Sequence, residues 1–365
     1  MDYEAIIEAQ LNQIEMSPLE QLVNEVVGQS RGYFEPLSLH DIVYSVLEGR
    51  PLFDSDVMIS GIIDLFLFEI RSGIALGIQL VTICIFMGLL KNLSNSFGEK
   101  AVSNLGILVC SFFVIALCLR NFTHTYNLAA DSVNTMATTM QILLPILIPL
   151  MISTGSFTSG SILNPVILGA ITVFNTLMQM FILPAIFVSA IFILVNSMVD
   201  RDYVNKLAKF IRSAAVFATG LAVTFFGGIT MVQGVVTKSA DGLLINTARY
   251  SINNFIPIVG GFAADSIDMI LACIAIVKTG IGIFGVIILV CLLVIPLIKI
   301  VAIAVIYKLT AIIIEPIGNK QVSNTMNEMG NSVITMAVVL FLTSLMFLVF
   351  MAIIIGIGGG RLWRS

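Results

Sequence analysis

The sequence predicts an all-α protein: a polytopic transmembrane helical bundle with a tandem internal repeat and a small amphipathic helical N-terminal region. Three observations predict it. First, the 365 residues are 58% hydrophobic and 11% charged, with mean hydropathy +1.03. Soluble domains carry about 25% charged residues, so too little polar side chain is present to wrap a water-facing globule of this size. Second, uncharged runs recur at the length of a membrane span, about 20 residues. Third, two pairs of prolines repeat with a common spacing. The composition excludes an ordinary cytosolic enzyme, a disordered chain and a nucleic-acid binder.

Charge divides the chain into a head and a membrane body. Residues 1–72 hold 13 acids and 3 bases, whereas residues 73–365 hold 9 acids and 15 bases. An acidic head suits a protein partner better than anionic lipid, or it is simply the solvated face of surface helices. Residues 1–71 read as this head, built of short amphipathic helices. Ile6, Ile7, Leu11 and Ile14 recur at helical spacing. Ser17, Pro18 and Glu20 form a helix-start signal ahead of Leu19, Leu22, Val23 and Val26. Ile42, Val43 and Val46 follow, and a further helix from Val57 to Arg71 runs into the membrane. Met1 is followed by Asp2, Glu4 and Glu8 with no basic and apolar leader pattern. Three placements stay open: a head moved outside with the first span, a leader missing from the sequence, or a cytoplasmic head.

The membrane body is read in order. Residues 72–131 hold the first two spans, the uncharged runs Ser72–Leu90, with a Gly73/Gly77 pair, and Ala101–Leu119. Ser132–Val199 carries no ionisable Asp, Glu, Lys, Arg or His for 68 residues, room for three spans, broken near Ser153–Ser161. Pro165–Val199 is expected to be two spans with a tight turn near Met178–Leu183. Ser213–Thr237 and Met329–Gly360 are clean runs, and Thr279–Ile314 is interrupted only by Lys299 and Lys308. Arg361, Trp363 and Arg364 read as an interfacial anchor. The four bases Arg201, Lys206, Lys209 and Arg212 place the connector Asp200–Arg212 in the cytoplasm, and Lys91–Lys100 fits the same side. Five spans before Asp200 put the head outside; a single helix over Pro165–Val199 flips it inside.

Pro145 and Pro184 are 39 residues apart, as are Pro257 and Pro296, so both pairs match at an offset of 112. The expected repeats are 132–243 and 244–365, related by an axis near the membrane normal. The four prolines are candidate helix breaks or hinges. Residues Asp265, Asp268, Lys278, Lys299 and Lys308 supply charge that the first repeat lacks. Intramembrane charges usually face a bundle interior or a wet cavity, so these five are a candidate polar path or gate, with Asp265 and Asp268 able to meet Lys278 or Lys299. The alternative is that Lys299 and Lys308 snorkel and the two aspartates sit in a loop. Gly280, Gly282 and Gly285 match a dinucleotide fingerprint, but within a hydrocarbon-length run they read as close helix packing. Cys84, Cys110, Cys118, Cys273 and Cys291 lie in apolar runs, and His40 and His124 stand alone, so neither a disulfide framework nor a metal centre is expected. No nucleophile–base pair, Walker lysine or HExxH is present, and no enzyme activity, cofactor or metal site is expected.

Certain stretches carry a more specific signal: Met231 to Gly234, Ala240 to Gly242, Thr247 to Tyr250, Asn254 to Gly260 with Asp265, then Pro296 to Lys299, Ile306-Tyr307 and Glu315 to Gly318. In these the chain resembles the stage III sporulation protein AE family of endospore-forming bacteria. The resemblance implies a multi-pass protein of the mother-cell membrane facing the forespore, part of the channel or secretion complex that joins the two cells. It implies partners: a cytoplasmic secretion-type ATPase, small membrane subunits and ring proteins of the intermembrane space. No catalytic or binding residues are carried over from the family. The expected function is a permease-like subunit needed for spore development, embedded in the lipid bilayer, with homo-oligomers left open. The alternatives are a stand-alone secondary transporter with a midplane site, and a structural assembly scaffold without a pore.

Overall fold

The computed structural model describes residue 45 and residues 55–97, 100–154, 156–197, 204–255, 260–317 and 320–356; the side chains of 242–270 lie outside the described set. All secondary structure among the described residues is helical. Seven helices follow one another: α1 (Ser55–Phe97), α2 (Lys100–Ser153), α3 (Phe157–Leu177), α4 (Leu183–Asn196), α5 (Asn205–Phe255), α6 (Gly260–Ile314) and α7 (Lys320–Gly356). Six segments are long and apolar enough to cross a membrane, α3 and α4 counting as one. Helices are what a bilayer demands, because a backbone polar group left unpaired in hydrocarbon costs several kcal/mol. The expected head helices before Val57, Pro257 and the Arg361–Arg364 anchor lie outside the described residues.

The expected helix from Val57 is present and runs unbroken into the first span as α1. Two expectations are corrected. Ala101–Leu119 and the segment from Ser132 are one helix, α2, of 54 residues, about 80 Å long against a hydrocarbon core of about 30 Å. Arg120 to Asp131 contains neither Gly nor Pro, so charge alone does not break it. Pro165–Asn196 is likewise one rod. There the expected tight turn is a single π-turn, Met178–Ile182, after which the Leu183 N–H donates to Met178 O. Pro184 explains it: it has no N–H for the preceding turn, and its ring crowds the carbonyl there, so the helix widens instead of reversing. The break at Ser153–Ser161 is real, with α2 ending at Ser153 and α3 starting at Phe157. Three rods therefore precede Asp200 in place of five.

The helices do not show the tandem duplication. An offset of 112 maps the break 154–156 onto 266–268, inside α6, and maps Pro184 onto Pro296, which α6 carries without interruption.

Side-chain meetings fix how the rods run. Gly73 and Gly77 of α1 sit against Ile306 and Thr310 of α6. Lys308 of α6 reaches Asn327 and Asn331 of α7, and Gly285 of α6 lies against Met351 of α7 and Leu143 of α2. Gly227 of α5 faces Met346, and Cys118 of α2 faces Met326. Gln179 donates to Ala130 O at 2.7 Å, and Phe187 stacks with Phe122. Successive rods thus alternate in direction. The C-terminal ends of α1, α4 and α6 and the starts of α2, α5 and α7 gather at one end of the bundle.

Glycine decides the closest approaches. Lipid offers no hydrophobic drive between helices, so association depends on tight packing of small residues. The Gly73/Gly77 pair and the Gly282/Gly285 pair both lie in such seams: a Cβ on Gly285 would stand 2.7 Å from Leu143 Cδ1, and one on Gly77 3.2 Å from Thr310 Oγ1. Close packing, as read from the sequence, accounts for the glycine fingerprint. Gly285→Leu is expected to lower stability by about 1–3 kcal/mol through overpacking, while Gly220→Ala, with open space around it, is neutral or stabilising. Unfolding of the two variants in mixed micelles checks the contrast.

Candidate functional site

At the end where α4, α5, α6 and α7 meet, polar side chains form a belt. Its centre is Glu328 of α7, a lone acid one residue ahead of the uncharged run Met329–Gly360. Lys209 Nζ lies 2.9 Å from one carboxylate oxygen and Arg212 Nη2 3.0 Å from the other. Arg212 also donates to the Glu328 carbonyl at 3.3 Å and to Ser332 Oγ at 3.4 Å. The Arg212 and Glu328 side chains are only 14% and 15% exposed, so each depends on the other for neutralisation. Lys209 is 48% exposed, and water screens its share of the interaction.

Lys308 completes the belt from α6. Its Nζ donates to Asn327 Oδ1 at 2.7 Å and to Asn331 Oδ1 at 2.5 Å. Gly330 makes room for it: a Cβ there would lie 3.2 Å from the lysine stem. Gln321 Nε2 donates to Ser197 O at 2.9 Å, and Ser189 Oγ to Ala208 O at 2.7 Å, tying α4 to α5 and α7. Between these helices opens a cavity of about 440 Å³, lined by Asn196, Asn205, Lys209, Lys320, Gln321 and Glu328 among others. Amides, two lysines and one paired acid suit a hydrated, polar or anionic guest.

The five expected path residues do not converge. The aspartates Asp265 and Asp268 lie on α6, and their side chains are outside the described set. Because α6 is one continuous helix, Asp268 and Lys299 are about 46 Å apart along it, so the aspartates do not meet Lys299. Lys278 is buried and has its own interactions, about 45 Å from Lys308. Lys299 is half-buried, and nine residues of α-helix turn it about 180° away from Lys308. Only Lys308 joins the belt. Pro145 and Pro296 leave their helices unbroken, and Pro184 alone coincides with a change of helix type. The sequence reading missed Glu328, Asn327 and Asn331. The available signal was a solitary acid at the start of an apolar run, with a base-rich connector to answer it.

Fold and site together define a multi-pass helical membrane protein with a paired polar belt at one end of the bundle. The comparisons give the class a family. The sequence pattern of Stage III sporulation protein AE (spore_III_AE) matches residues 37–358, and this chain belongs to that family. It is 29% identical over 355 residues to the Stage III sporulation protein AE of Bacillus subtilis (strain 168), covering 97% of this chain and 89% of that one. No solved structure matches.

Arg212 and Glu328 are expected to couple. Arg212→Ala and Glu328→Ala each destabilise the fold, and the double variant loses less than their sum, by about 1–3 kcal/mol. Equilibrium unfolding of the four proteins in mixed micelles measures the coupling.

Proposed function

We propose that this protein is a permease-like membrane subunit of the sporulation complex that joins mother cell and forespore. It lies in the mother-cell membrane and carries out no chemistry of its own. Family membership supports the sporulation role. The observation that carries the membrane role is the polarised bundle, six span-length rods with a basic, cavity-bearing end.

The sequence puts Lys91, Lys100, Arg201, Lys206, Lys209 and Lys320 in or beside the connectors of that end, which by the positive-inside rule is cytoplasmic. A cytoplasmic secretion-type ATPase supplies energy there. Three rods before Asp200 keep the crossing number odd, as five do, so the acidic head faces the intermembrane space. On that side α5 continues past Gly234, the partner of Ile353 near the end of α7, and α6 begins well before Gly282, the partner of Ile355. The projecting α5–α6 pair carries the family-like residues Ala240 to Gly242 and Thr247 to Tyr250 and, with the head, contacts ring proteins; small membrane subunits pack on the bundle's sides.

A membrane-impermeant thiol reagent tests the orientation. In cells with the outer face exposed, Glu20→Cys is expected to react and Lys206→Cys only after permeabilisation; the opposite pattern overturns it. The purified chain in liposomes is expected to drive no ion-coupled uptake. Uptake by the chain alone would establish the stand-alone transporter instead.

A further inference from the structure

The outer face of α2 is apolar from Leu105 to Leu119 and then turns polar for a length comparable to the hydrocarbon core. Between residues 120 and 141 the exposed positions are Arg120, His124, Asn127, Asp131, Asn134, Thr138 and Gln141. They recur every three or four residues, which is one helix face, and span about 32 Å. No large hydrophobic side chain is exposed between Leu119 and Val173 among the described residues. The neighbouring face of α3 continues the character. Asn175 Nδ2 donates to Asn134 Oδ1 at 3.4 Å, and Thr172 and Thr176 are exposed beside it. The Asn175 Oδ1 is buried without a partner.

The height of this stripe follows from its neighbours. Cys118 of α2 meets Met326 of α7, and Met136 meets Ser344. Over the matching stretch of α7 the outward residues are Ile334, Val338, Phe341 and Leu345. On α5 they are Phe217, Leu221, Thr224 and Phe225, the three apolar ones 56–68% exposed. At one depth, therefore, two helices present an oily face and α2 presents Asp131. A charge at that depth costs about 2.5–3.5 kcal/mol against lipid on insertion scales, and such residues face protein or water.

We infer that the α2–α3 face lines a water-filled path enclosed between copies of this chain. This rests on the permease reading and deepens it. One helix face supplies a single wall. A second copy in the same orientation brings an identical wall to the same height, so that Asn127, Asn134 and Gln141, which each donate and accept, line both sides of the water between them. Asp131 then faces Asp131, and water between the copies solvates both carboxyls.

The test uses full-length protein in native membranes, with the five native cysteines replaced by alanine. Cysteines at His124, Asn127, Asp131, Asn134 and Thr138 are expected to react with a charged thiosulfonate at least about tenfold faster than those at Phe217, Leu221 and Phe225, because the thiolate forms only in water. Asn127→Cys is expected to cross-link two copies through a short bis-maleimide. Slow labelling along the stripe, in variants that reach the membrane at normal levels, overturns the path. Fast labelling without cross-linked dimers overturns the second copy as its enclosure. Sporulation of Asp131→Asn cells separates the readings: labelled, cross-linked protein with normal sporulation leaves the path standing and removes its role in the complex.

Discussion

The structure depends on close approach to α6. Within a bilayer, apolar side chains gain nothing by leaving lipid for protein, so a bundle of oily helices coheres only where atoms meet at van der Waals distance over long seams. α6 is the rod that most of the others meet. Gly73 and Gly77 bring α1 onto Ile306 and Thr310, Gly282 and Gly285 let Ile355, Met351 and Leu143 sit on its backbone, and Gly330 of α7 admits the Lys308 stem. Tyr307, fully buried, hands its hydroxyl to the Cys118 carbonyl of α2 at 3.3 Å. Remove these small residues and the helices remain helices, but α1, α2 and α7 no longer share a common axis.

Much of this was legible in the sequence for a simple reason: the bilayer punishes the same error everywhere. Every uncharged run of span length became membrane-length helix, and the small-residue pairs became seams. The break at Ser153–Ser161 was legible too, since a run of Ser, Thr and Gly offers competing hydrogen bonds and no packing. The errors share a cause. A charged interruption was taken for a loop and a proline for a reversal, yet neither stops a helix whose neighbours compensate. Between Arg120 and Asp131 the residues are helix-compatible, and the charges fall on one face. Around Pro184 a π-turn absorbs the missing donor. Sequence spacing reports which face a charge occupies; whether that face meets lipid is a tertiary fact.

The five expected path residues meet a complementary limit. Asp265, Asp268, Lys278, Lys299 and Lys308 are all on one helix, and a single helix spreads residues along its length and around its axis. Charges that meet must come from different rods. The belt obeys this rule: Arg212 and Lys209 from α5 answer Glu328 from α7, and Lys308 from α6 answers two asparagines of α7. No local pattern in any one segment announces such a set, which is why a lone Glu at the head of an apolar run was the only trace of it.

The two polar features are continuous in height, and this constrains how they work together. On α7 the outward residues change from Asn324 and Asn327 to Ile334 and Val338 within about three turns, a line on that helix between polar and apolar outward residues. The belt sits on the polar side of that line. Arg120 follows Cys118, the neighbour of Met326, and so starts the α2 stripe level with Glu328. From there the stripe climbs past the line, through Asp131 at the depth of Val338 and Phe341. On the proposed path, a polar surface that begins level with the belt and continues past the apolar outward residues of α7 leaves no depth at which a polar guest must shed its water against lipid.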